Sequence, residues 1–378
     1  MLFVIDKSLI DALKLDNNDK ADIVDALENI ARARREGKHL IFASRNNLKV
    51  LKEYPLLSDT ARRVFNKLYN QLPQMDVYRQ HFIRRVEIVA EDVFEIFSEG
   101  NHKVIRISAK NLRDFSFVMD SVLLAENQDD IKFYKKLTQT YLHWSGLGHI
   151  KISCESRGGG GQNTVNEFKE IIDQKNRLCL CIVDSDRKFP NSNLGSTASS
   201  VQKIVDENQS PLAELFILDQ RELENILPTR LLEETVNNDP NRMNGVLFLE
   251  ELEKSNFSDA RHYLDIKKGL KLGKVLNQPN GSLFANYWTQ VANCMQNKAF
   301  NISQKCRTNH NCHDETGCTC IVAVGLGDSI LTDVITTLER NSSQKIGEMV
   351  REPLKTTWGH IGEILIAWCC GGSRLVTI

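Results

Sequence analysis

From about Phe117 to Leu218, short apolar runs alternate with amphipathic stretches, and this alternation restricts the fold more than any other feature of the chain. The runs have the length of strands, whereas the stretches between them repeat apolar residues every three or four positions, as helices do. Strands that alternate with helices form a mostly parallel sheet, because each helix returns the chain to the same end of the sheet. Functional groups in such sheets gather at the carboxyl ends of the strands. The sequence therefore predicts an α/β fold, a mostly parallel sheet flanked by helices, with a site at one edge of the sheet.

Acidic residues follow two of the predicted strands. The run LCLCIV is apolar throughout, as in a strand buried on both faces, and Asp184 and Asp186 come directly after it. Glu126 follows the strand that contains LLA, earlier in the same predicted sheet. Because alternate residues of an extended segment point the same way, we expect Asp184 and Asp186 to face one side. The other interpretation is that these acids are solvated turn residues, since Asp is frequent in turns.

Carboxylates that share one sheet edge repel one another unless a cation neutralises them. Mg²⁺ and Mn²⁺ prefer oxygen ligands of this kind, and they keep coordination positions for water and for substrate phosphate. We therefore expect Glu126, Asp184 and Asp186 to bind Mg²⁺ or Mn²⁺.

The order of these motifs resembles the Toprim domain, the metal-binding fold of topoisomerases, bacterial primases and the "overcoming lysogenization defect" (OLD) nucleases. The resemblance lies in LLAENQDDIKFY, in the glycine-rich turn after the next strand, and in CIVDSD. The family usually has Gly after the glutamate, where this chain has Asn127. The segment LDQRELENILP is similar to the ExEN segment of OLD-like and stand-alone Toprim nucleases, and YLDIKKGLKLGKVL is similar to their lysine segment. The resemblance covers about Phe117 to Leu276.

By this resemblance the protein is a Mg²⁺- or Mn²⁺-dependent endonuclease that hydrolyses phosphodiester bonds of DNA or RNA. The metal ligands it implies are Glu126, Asp184, Asp186, Glu224 and Glu222. Of the last two, Glu224 is the first choice and Glu222 the second. The catalytic residues it implies are Glu126, Asp184, Asp186, Glu224 and Lys267. Lys267 would stabilise negative charge that develops near the scissile phosphate. A solvated helix face is the other interpretation of the lysine segment.

Stand-alone proteins of this type resemble effectors of bacterial anti-phage defence that a partner holds inactive. The chain has no Walker A motif, so an ATPase or sensor would be a separate protein. Two other functions stay open: a Toprim-fold nucleotidyl-transfer enzyme, which needs a nucleotide pocket, and a non-catalytic module that binds nucleic acid or protein.

Basic residues near these motifs are candidates for contacts with a nucleic-acid backbone. Arg157 precedes the glycines of ESRGGGGQNT, a predicted loop whose amides either bind phosphate or only form a tight turn. Arg187 and Lys188 follow the DxD motif directly, and Lys268 lies in the lysine segment.

A cluster of thiols and imidazoles occupies KCRTNHNCHDETGCTC. Its members are Cys306, His310, Cys312, His313, Cys318 and Cys320. These are zinc ligands by type, so a structural Zn²⁺ site is one interpretation. The spacing fits no standard pattern, and the alternative is that Cys318 and Cys320 begin a buried strand.

Local patterns and loop residues predict the remaining organisation. Strands are predicted at Leu2–Ile5 and Leu40–Ala43, with a helix at about Asp19–Glu36 between them. Its predicted buried face consists of Ile23, Ala26, Leu27, Ile30 and Ala31. HIKISCE is predicted to form one strand and WGHIGEILIAW a core helix. Residues 1–116 form a predicted N-terminal α/β domain of unknown role, whose FVIDKSLIDAL is similar to the start of a PIN-type nuclease with Asp6 after the first strand. Residues 117–236 form the predicted Toprim core, and residues 237–378 a mainly helical C-terminal elaboration.

The formal net charge of −1 over 378 residues argues against a protein that coats nucleic acid by bulk charge. No run approaches the ~18 apolar residues of a membrane span, so we expect no membrane contact and a cytoplasmic location. The ten cysteines do not form the framework of a small secreted protein. A homo-oligomer is one arrangement that stays open.

Overall fold

A computed structural model describes residues 1–15, 20–279, 281–295 and 320–376, apart from the side chains of residues 74, 76 and 77. The chain is an α/β protein, 54% helical, with a mostly parallel sheet and flanking helices, which confirms the predicted class. The strands are β1 (Leu2–Ile5), β2 (Leu40–Ala43), β3 (Arg84–Val89), β4 (Phe94–Glu99), β5 (His102–Ser108), β6 (Val122–Ala125), β7 (Lys151–Ile152), β8 (Glu155–Gly158), β9 (Cys179–Val183), β10 (Ala213–Ile217), β11 (Gly269–Lys271), β12 (Ile321–Val324) and β13 (Cys370–Gly371).

Helices connect and cover these strands. The α-helices are α1 (Lys7–Lys14), α2 (Lys20–Glu36), α3 (Arg45–Leu51), α4 (Asp59–Arg79), α5 (Gln128–Trp144), α6 (Thr164–Gln174), α7 (Ser196–Asn208), α8 (Thr229–Val236), α9 (Pro240–Glu253), α10 (Leu272–Leu276), α11 (Leu283–Met295), α12 (Ile330–Arg340), α13 (Ser343–Met349) and α14 (Leu354–Cys369). Short 3₁₀ helices span Ala109–Arg113, Phe115–Val118, Gly161–Asn163, Leu223–Ile226 and Ser258–Tyr263. In the described parts of the chain, no helix is both long enough and apolar enough to cross a membrane.

The N-terminal sheet has the order β2-β1-β3-β5-β4. Its first four strands are parallel neighbours, and β4 pairs antiparallel with β5 at the edge. The predicted strands β1 and β2 are confirmed, and so is α2, which ends before Gly37 with its φ of +85°. The helix buries the face predicted from its periodicity, namely Ile23, Ala26, Leu27, Ile30 and Ala31.

The second sheet has the order β10-β9-β6-β8 and carries the predicted strand ends. Strand β6 runs parallel to β8 and to β9, and Ala125 lies opposite Ile182. The apolar run before Asp184 is strand β9, buried at each of its positions, as the sequence predicts. Because β6 and β9 are parallel neighbours, their carboxyl ends lie at one edge of this sheet.

The prediction that HIKISCE forms one strand is wrong, because this segment divides between two sheets. Strand β7 pairs antiparallel with β13, and the Ser153 N–H donates to the carbonyl of Cys369 at 2.8 Å. The chain then enters β8, where the Glu155 N–H donates to the carbonyl of Ser121 at 2.9 Å. Strand β8 continues through Gly158, so the first residues of the predicted glycine loop belong to a strand.

The chain divides into two compact units. These units differ from the three segments predicted from the sequence, and the boundaries of those three segments stay predictions. The first unit comprises Met1–Ile182, Val201–Phe216 and Trp358–Ile378, and the second comprises Val183–Ser200 and Ile217–Thr357. In the first unit, Tyr141 and Leu142 of α5 pack in one apolar cluster with Ile366 of α14. A side chain at Gly362 would meet the Tyr141 ring at 2.4 Å, so this glycine permits the close approach of α14.

A buried ion pair fixes the second sheet within the first unit. The Arg84 guanidinium lies 2.6 Å from a carboxylate oxygen of Glu214 on β10. The Trp368 indole N–H donates to the same carboxylate, and the Arg84 guanidinium stacks 4.8 Å from the Trp368 ring centre. The core helix predicted from WGHIGEILIAW is confirmed as part of α14, with Trp358 and Trp368 buried.

The second unit is mainly helical. Helix α8 packs against α9 and α12, and the pair β11–β12 is antiparallel. At Gly245 of α9 a side chain would lie 2.6 Å from the Leu326 side chain, which follows β12. The segments 217–227 and 261–269 of this unit carry four of the predicted site residues, namely Glu222, Glu224, Lys267 and Lys268.

Candidate functional site

The DxD turn, residues 184–186, follows β9 directly and lies in the second unit, which begins at Val183. Asp184 is half-buried, Ser185 is buried and Asp186 is exposed. The φ angle of Asp186 is +54°, in the left-handed region. The extended geometry predicted for this segment is therefore wrong at Asp186, and the alternation argument for a shared direction of Asp184 and Asp186 does not apply.

Hydrogen bonds hold the DxD turn in this shape. The Ser185 hydroxyl donates to the carbonyl of Gln220 at 2.6 Å, and the Asp186 N–H donates to the carbonyl of Arg221 at 2.8 Å. On the other side, the Gly195 N–H donates to the carbonyl of Ser185 at 2.9 Å. The turn is thus fixed to the segment that immediately precedes the two glutamates of the ELEN motif.

Gly195 is a site residue that sequence reasoning missed. A Cβ atom at this position would lie 2.1 Å from Oδ2 of Asp186 and 2.5 Å from its Cβ. The main chain at Gly195 therefore packs directly against the Asp186 side chain, which only a residue without a side chain allows. The one signal in the sequence is a lone glycine between the DxD motif and the start of α7, and such glycines are too common to identify a site.

Glu222, Glu224 and Lys267 form a buried charge cluster in the same unit. The Glu222 and Glu224 residues are 8% and 3% exposed. Nζ of Lys267 lies 3.0 Å from Oε2 of Glu222 and 3.1 Å from Oε1 of Glu224. One ammonium group thus contacts two buried carboxylates, and the cluster carries an excess of negative charge when all three groups are ionised.

The pKa shifts follow from this imbalance. Burial raises the pKa of the Glu222 carboxyl, and the neighbouring Glu224 carboxylate raises it further, against the opposing effect of Lys267. Burial by itself lowers the pKa of Lys267, but the Glu224 and Glu222 carboxylates outweigh it and raise that pKa overall. Lys267 is therefore held in its charged form, and it joins the lysine segment to the ELEN segment by direct contact.

Asn225, the last residue of the ELEN motif, connects the two segments. It is buried, and its Oδ1 accepts a hydrogen bond from the Glu222 N–H at 2.9 Å. Its Nδ2 donates to the carbonyls of Arg261 at 2.6 Å and Leu264 at 2.9 Å. The Ile266 N–H in turn donates to Oε1 of Glu222 at 3.2 Å. Asn225 thus positions Glu222 and the start of the lysine segment together, a role that the sequence did not reveal.

Glu126 belongs to the first unit, where it follows β6. The carbonyl of Glu126 accepts hydrogen bonds from the N–H groups of Gly160 at 2.8 Å and Gly161 at 3.2 Å. The Gly159 N–H donates to the carbonyl of Ala125 at 2.9 Å. These amides are therefore used within the protein, which favours the tight turn over the phosphate-binding loop. The turn positions the main chain of Glu126, and its carboxylate is half-buried.

Arg157 lies in β8 and not in the predicted loop. Its Nε donates to a carboxylate oxygen of Glu155 at 2.8 Å, and its guanidinium lies 3.7 Å from Glu167. The contact with Glu155 raises the pKa of Arg157. A phosphate group would have to compete with these two carboxylates, so the structure gives Arg157 a local structural partner that the sequence did not predict.

Arg187, Lys188 and Lys268 are placed differently. Lys188 and Lys268 are exposed, and Arg187 is half-buried. The Nε of Arg187 has no hydrogen-bond partner among the described residues. Lys268 has its N–H bonded to Oδ1 of Asp265 at 2.8 Å, and Asp265 also pairs with Arg221 at 2.9 Å. All three basic side chains belong to the second unit, as do Asp184 and Asp186.

Of the thiol and imidazole cluster, the structure describes Cys320. Cys306, His310, Cys312, His313 and Cys318 lie outside the described residues, so the zinc prediction is untested there. Cys320 is buried directly before β12, and its carbonyl accepts a hydrogen bond from the Leu272 N–H at 2.9 Å. For Cys320 this position agrees with the interpretation as the beginning of a buried strand.

A cavity of about 570 Å³ lies elsewhere in the second unit, between α8, α9 and the residues before α14. None of the predicted site residues lines it. It is linked to them through Arg261 and His262, since the Arg221 N–H donates to the carbonyl of His262 at 2.7 Å. The buried Arg261 guanidinium, which lines the cavity, donates to the carbonyl of Asn225 at 3.2 Å.

Carboxylate oxygens with an excess of buried negative charge suit a hard cation in type. Among the described residues, no three His, Cys, Asp or Glu side chains are grouped so as to hold a metal ion. In the N-terminal sheet, the predicted PIN-type residue Asp6 caps α1 through a 2.8 Å hydrogen bond from the Ser8 N–H.

Comparisons with protein-family models, with curated proteins and with solved structures found no match.

Proposed function

We propose that this chain is a metal-dependent phosphodiesterase of Toprim type that cuts nucleic acid internally. The observation that carries the proposal is the attachment of the DxD turn to the ELEN segment. The turn donates two hydrogen bonds to the carbonyls of Gln220 and Arg221, at 2.6 and 2.8 Å. Glu222 and Glu224 follow these residues directly. Two acidic motifs that are far apart in sequence are therefore joined, within one compact unit, by a side-chain and a main-chain hydrogen bond to main-chain carbonyls.

Asp184 and Asp186 would be the first ligands of Mg²⁺ or Mn²⁺ in this proposal, with Glu224 and then Glu222 as further ligands. Glu126, which follows β6 in the first unit, is included as a ligand because the family resemblance implies it. When bound, such an ion polarises a phosphoryl oxygen and neutralises the charge that develops on it.

The protein's own contribution is to hold these carboxylates in place. Gly195 allows the main chain to approach Asp186 and limits the space open to its carboxylate. Lys267 contacts Glu222 and Glu224 and opposes the rise in the pKa of Glu222, which makes it a positioning residue in this proposal. The family resemblance supports a role as an effector of anti-phage defence that a separate ATPase or sensor restrains.

The proposal is tested by incubating the purified protein with plasmid, linear DNA and total RNA in Mg²⁺, Mn²⁺ or EDTA. Asp184→Asn and Asp186→Asn keep the size of the side chain and remove its charge. Asp173→Asn is the matched control, because Asp173 is an exposed acid on α6 outside the site. We expect metal-dependent cutting that is lost in the first two variants and retained in the third.

Cutting in EDTA, or equal cutting by Asp184→Asn and the wild type, contradicts the proposal. Incorporation of nucleoside triphosphates in place of cutting would support the nucleotidyl-transfer alternative. Nucleic-acid binding that neither metal nor Asp186→Asn affects would support the non-catalytic module.

A further inference from the structure

An aromatic cluster lies beside the DxD turn in the second unit. We define it by Phe189, Phe257, Tyr263, Phe284, Tyr287 and Trp288. Its ring centres form a continuous series: 6.4 Å from Phe189 to Phe284, 6.5 Å from Phe284 to Trp288, and 5.5 Å from Trp288 to Tyr287. From Tyr287 the series continues over 5.9 Å to Tyr263 and over 6.4 Å to Phe257.

The cluster is attached to the chain that leaves the DxD turn. The Trp288 indole N–H donates to the carbonyl of Lys188 at 2.8 Å. Phe189 follows Asp186 by three residues, so their Cα atoms lie within about 10 Å of each other. This distance corresponds to about three base steps at ~3.4 Å each along a stacked strand.

The exposure of the cluster differs from that of an ordinary core. Trp288 is buried, whereas the other five residues of the cluster are half-buried. The Tyr287 hydroxyl is a buried polar atom with no hydrogen-bond partner in the described parts of the chain. Trp288 thus anchors α11 to the DxD segment, and its neighbours keep ring surface that the described residues do not cover.

Two cations adjoin this surface. Arg187 and Lys188 precede Phe189, and among the described residues neither forms an ion pair with a carboxylate. Burial and the Asp259 carboxylate raise the pKa of the Tyr263 phenol, and the charge of Arg187 acts on it in the opposite direction, so Arg187 lies close enough to act on this ring. A row of aromatic rings flanked by two cations that pair with no described carboxylate is complementary to bases joined by phosphates.

We infer that the aromatic cluster binds single-stranded nucleic acid, with bases stacked on its exposed rings and phosphates at Arg187 and Lys188. The inference rests on the proposed function, because it names the form of the substrate at the same site. A duplex keeps its bases paired and stacked inside the helix, where these rings do not reach them. Single strands, or single-stranded parts of a larger substrate, are therefore the expected ligand.

Binding is measured by fluorescence anisotropy in EDTA, so that cutting does not interfere. The probes are single-stranded DNA, single-stranded RNA and duplex DNA of equal length. We expect tighter binding of one or both single strands than of the duplex. Phe284→Ala should weaken single-strand binding about five-fold or more, whereas Phe284→Tyr should keep most of it, because tyrosine retains a stacking face.

Matched variants separate stacking from loss of structure. Phe94→Ala removes a phenylalanine that is 45% exposed on β4 in the first unit, and it should bind as the wild type does. Phe189→Ala removes a second ring of the cluster independently of α11 and should weaken binding as Phe284→Ala does. Lys188→Gln should reduce the slope of log K against log salt by about 0.7, the value for one phosphate contact to a single strand.

Equal affinity for duplex and single strands, or wild-type affinity in both Phe284→Ala and Phe189→Ala, overturns the inference. Metal-dependent cutting with no dependence on these rings contradicts the inference alone. Ring-dependent binding of single strands without any metal-dependent cutting contradicts the proposed function alone. The DNA and RNA probes identify which single strand is the ligand.

Discussion

A Lys267→Met variant leaves two buried carboxylates without the ammonium group that contacts them. Each of the two contacts, at 3.0 and 3.1 Å, corresponds to about 5 kcal/mol of Coulomb energy at an effective dielectric constant of about 20. Desolvation of the ammonium offsets much of this, and removal of one partner from a buried pair costs about 3–5 kcal/mol net. Methionine has a similar length and is apolar, so the packing of the stem is retained. We therefore expect the segments around Glu222 and Lys267 to lose about 3–5 kcal/mol of local stability.

Amide hydrogen exchange of peptides from these two segments is the assay, because a chain of two compact units need not unfold in one step. A loss of about 3 kcal/mol lowers protection more than 100-fold. Adding Glu222→Gln to Lys267→Met removes one of the unpaired charges, keeps the oxygen that accepts from the Ile266 N–H, and should restore part of the protection. Lys268→Met, at the exposed neighbour, is the control and should change little. A decrease of less than about ten-fold in Lys267→Met, or equal effects of the two methionine variants, would refute the assignment of Lys267 as the counter-ion of both glutamates.

Three further predictions concern other residues. Gly195→Ala should lower the affinity for Mg²⁺ at least about ten-fold in a calorimetric titration, because the new methyl group displaces the Asp186 carboxylate. The circular dichroism spectrum should stay unchanged, and an unchanged Mg²⁺ affinity contradicts this prediction. Burial holds the pKa of His39 well below its usual value, so the folded state stays neutral while the unfolded chain takes up a proton below about pH 6.5. The free energy of unfolding should therefore fall by about 1.4 kcal/mol per pH unit below that value. His39→Gln should remove this contribution to the slope in urea denaturation, and the same slope in both proteins contradicts the prediction. Arg261→Met should destabilise the second unit by about 3–5 kcal/mol, since buried carbonyls that the guanidinium satisfies lose their donor. Lys254→Met, on the rim of the same cavity, should change the melting temperature little, and an equal decrease in both variants would contradict a specific role of Arg261.

The sheet and the strand ends could be predicted because they depend on local patterns. An apolar run of strand length next to amphipathic helices leaves few topologies, and β9 with Asp184 at its end follows from that pattern. The helix face of α2 follows in the same way from its periodicity. The break between β7 and β8 could not be predicted, since it depends on pairing with β13, which is more than 200 residues away in sequence.

The details of the site depend on contacts between distant segments. The left-handed conformation of Asp186 is fixed by hydrogen bonds to Arg221 and by the close approach of Gly195, and a DxD motif alone does not indicate either. The acids Glu222 and Glu224 could be named from a motif, but the bridging position of Lys267 required the fold. Asn225 was visible as the last letter of ELEN, although its role in joining two segments was not.

The central claim is that Asp184 and Asp186 bind a divalent cation that serves hydrolysis of nucleic acid. A titration of the protein with Mn²⁺, followed by electron paramagnetic resonance, counts bound ions without any assumption about the substrate. The account predicts saturable binding to the wild type and to Asp173→Asn, and loss of that binding in the double variant Asp184→Asn/Asp186→Asn. Absence of saturable binding to the wild type, or equal binding to the double variant, would contradict it.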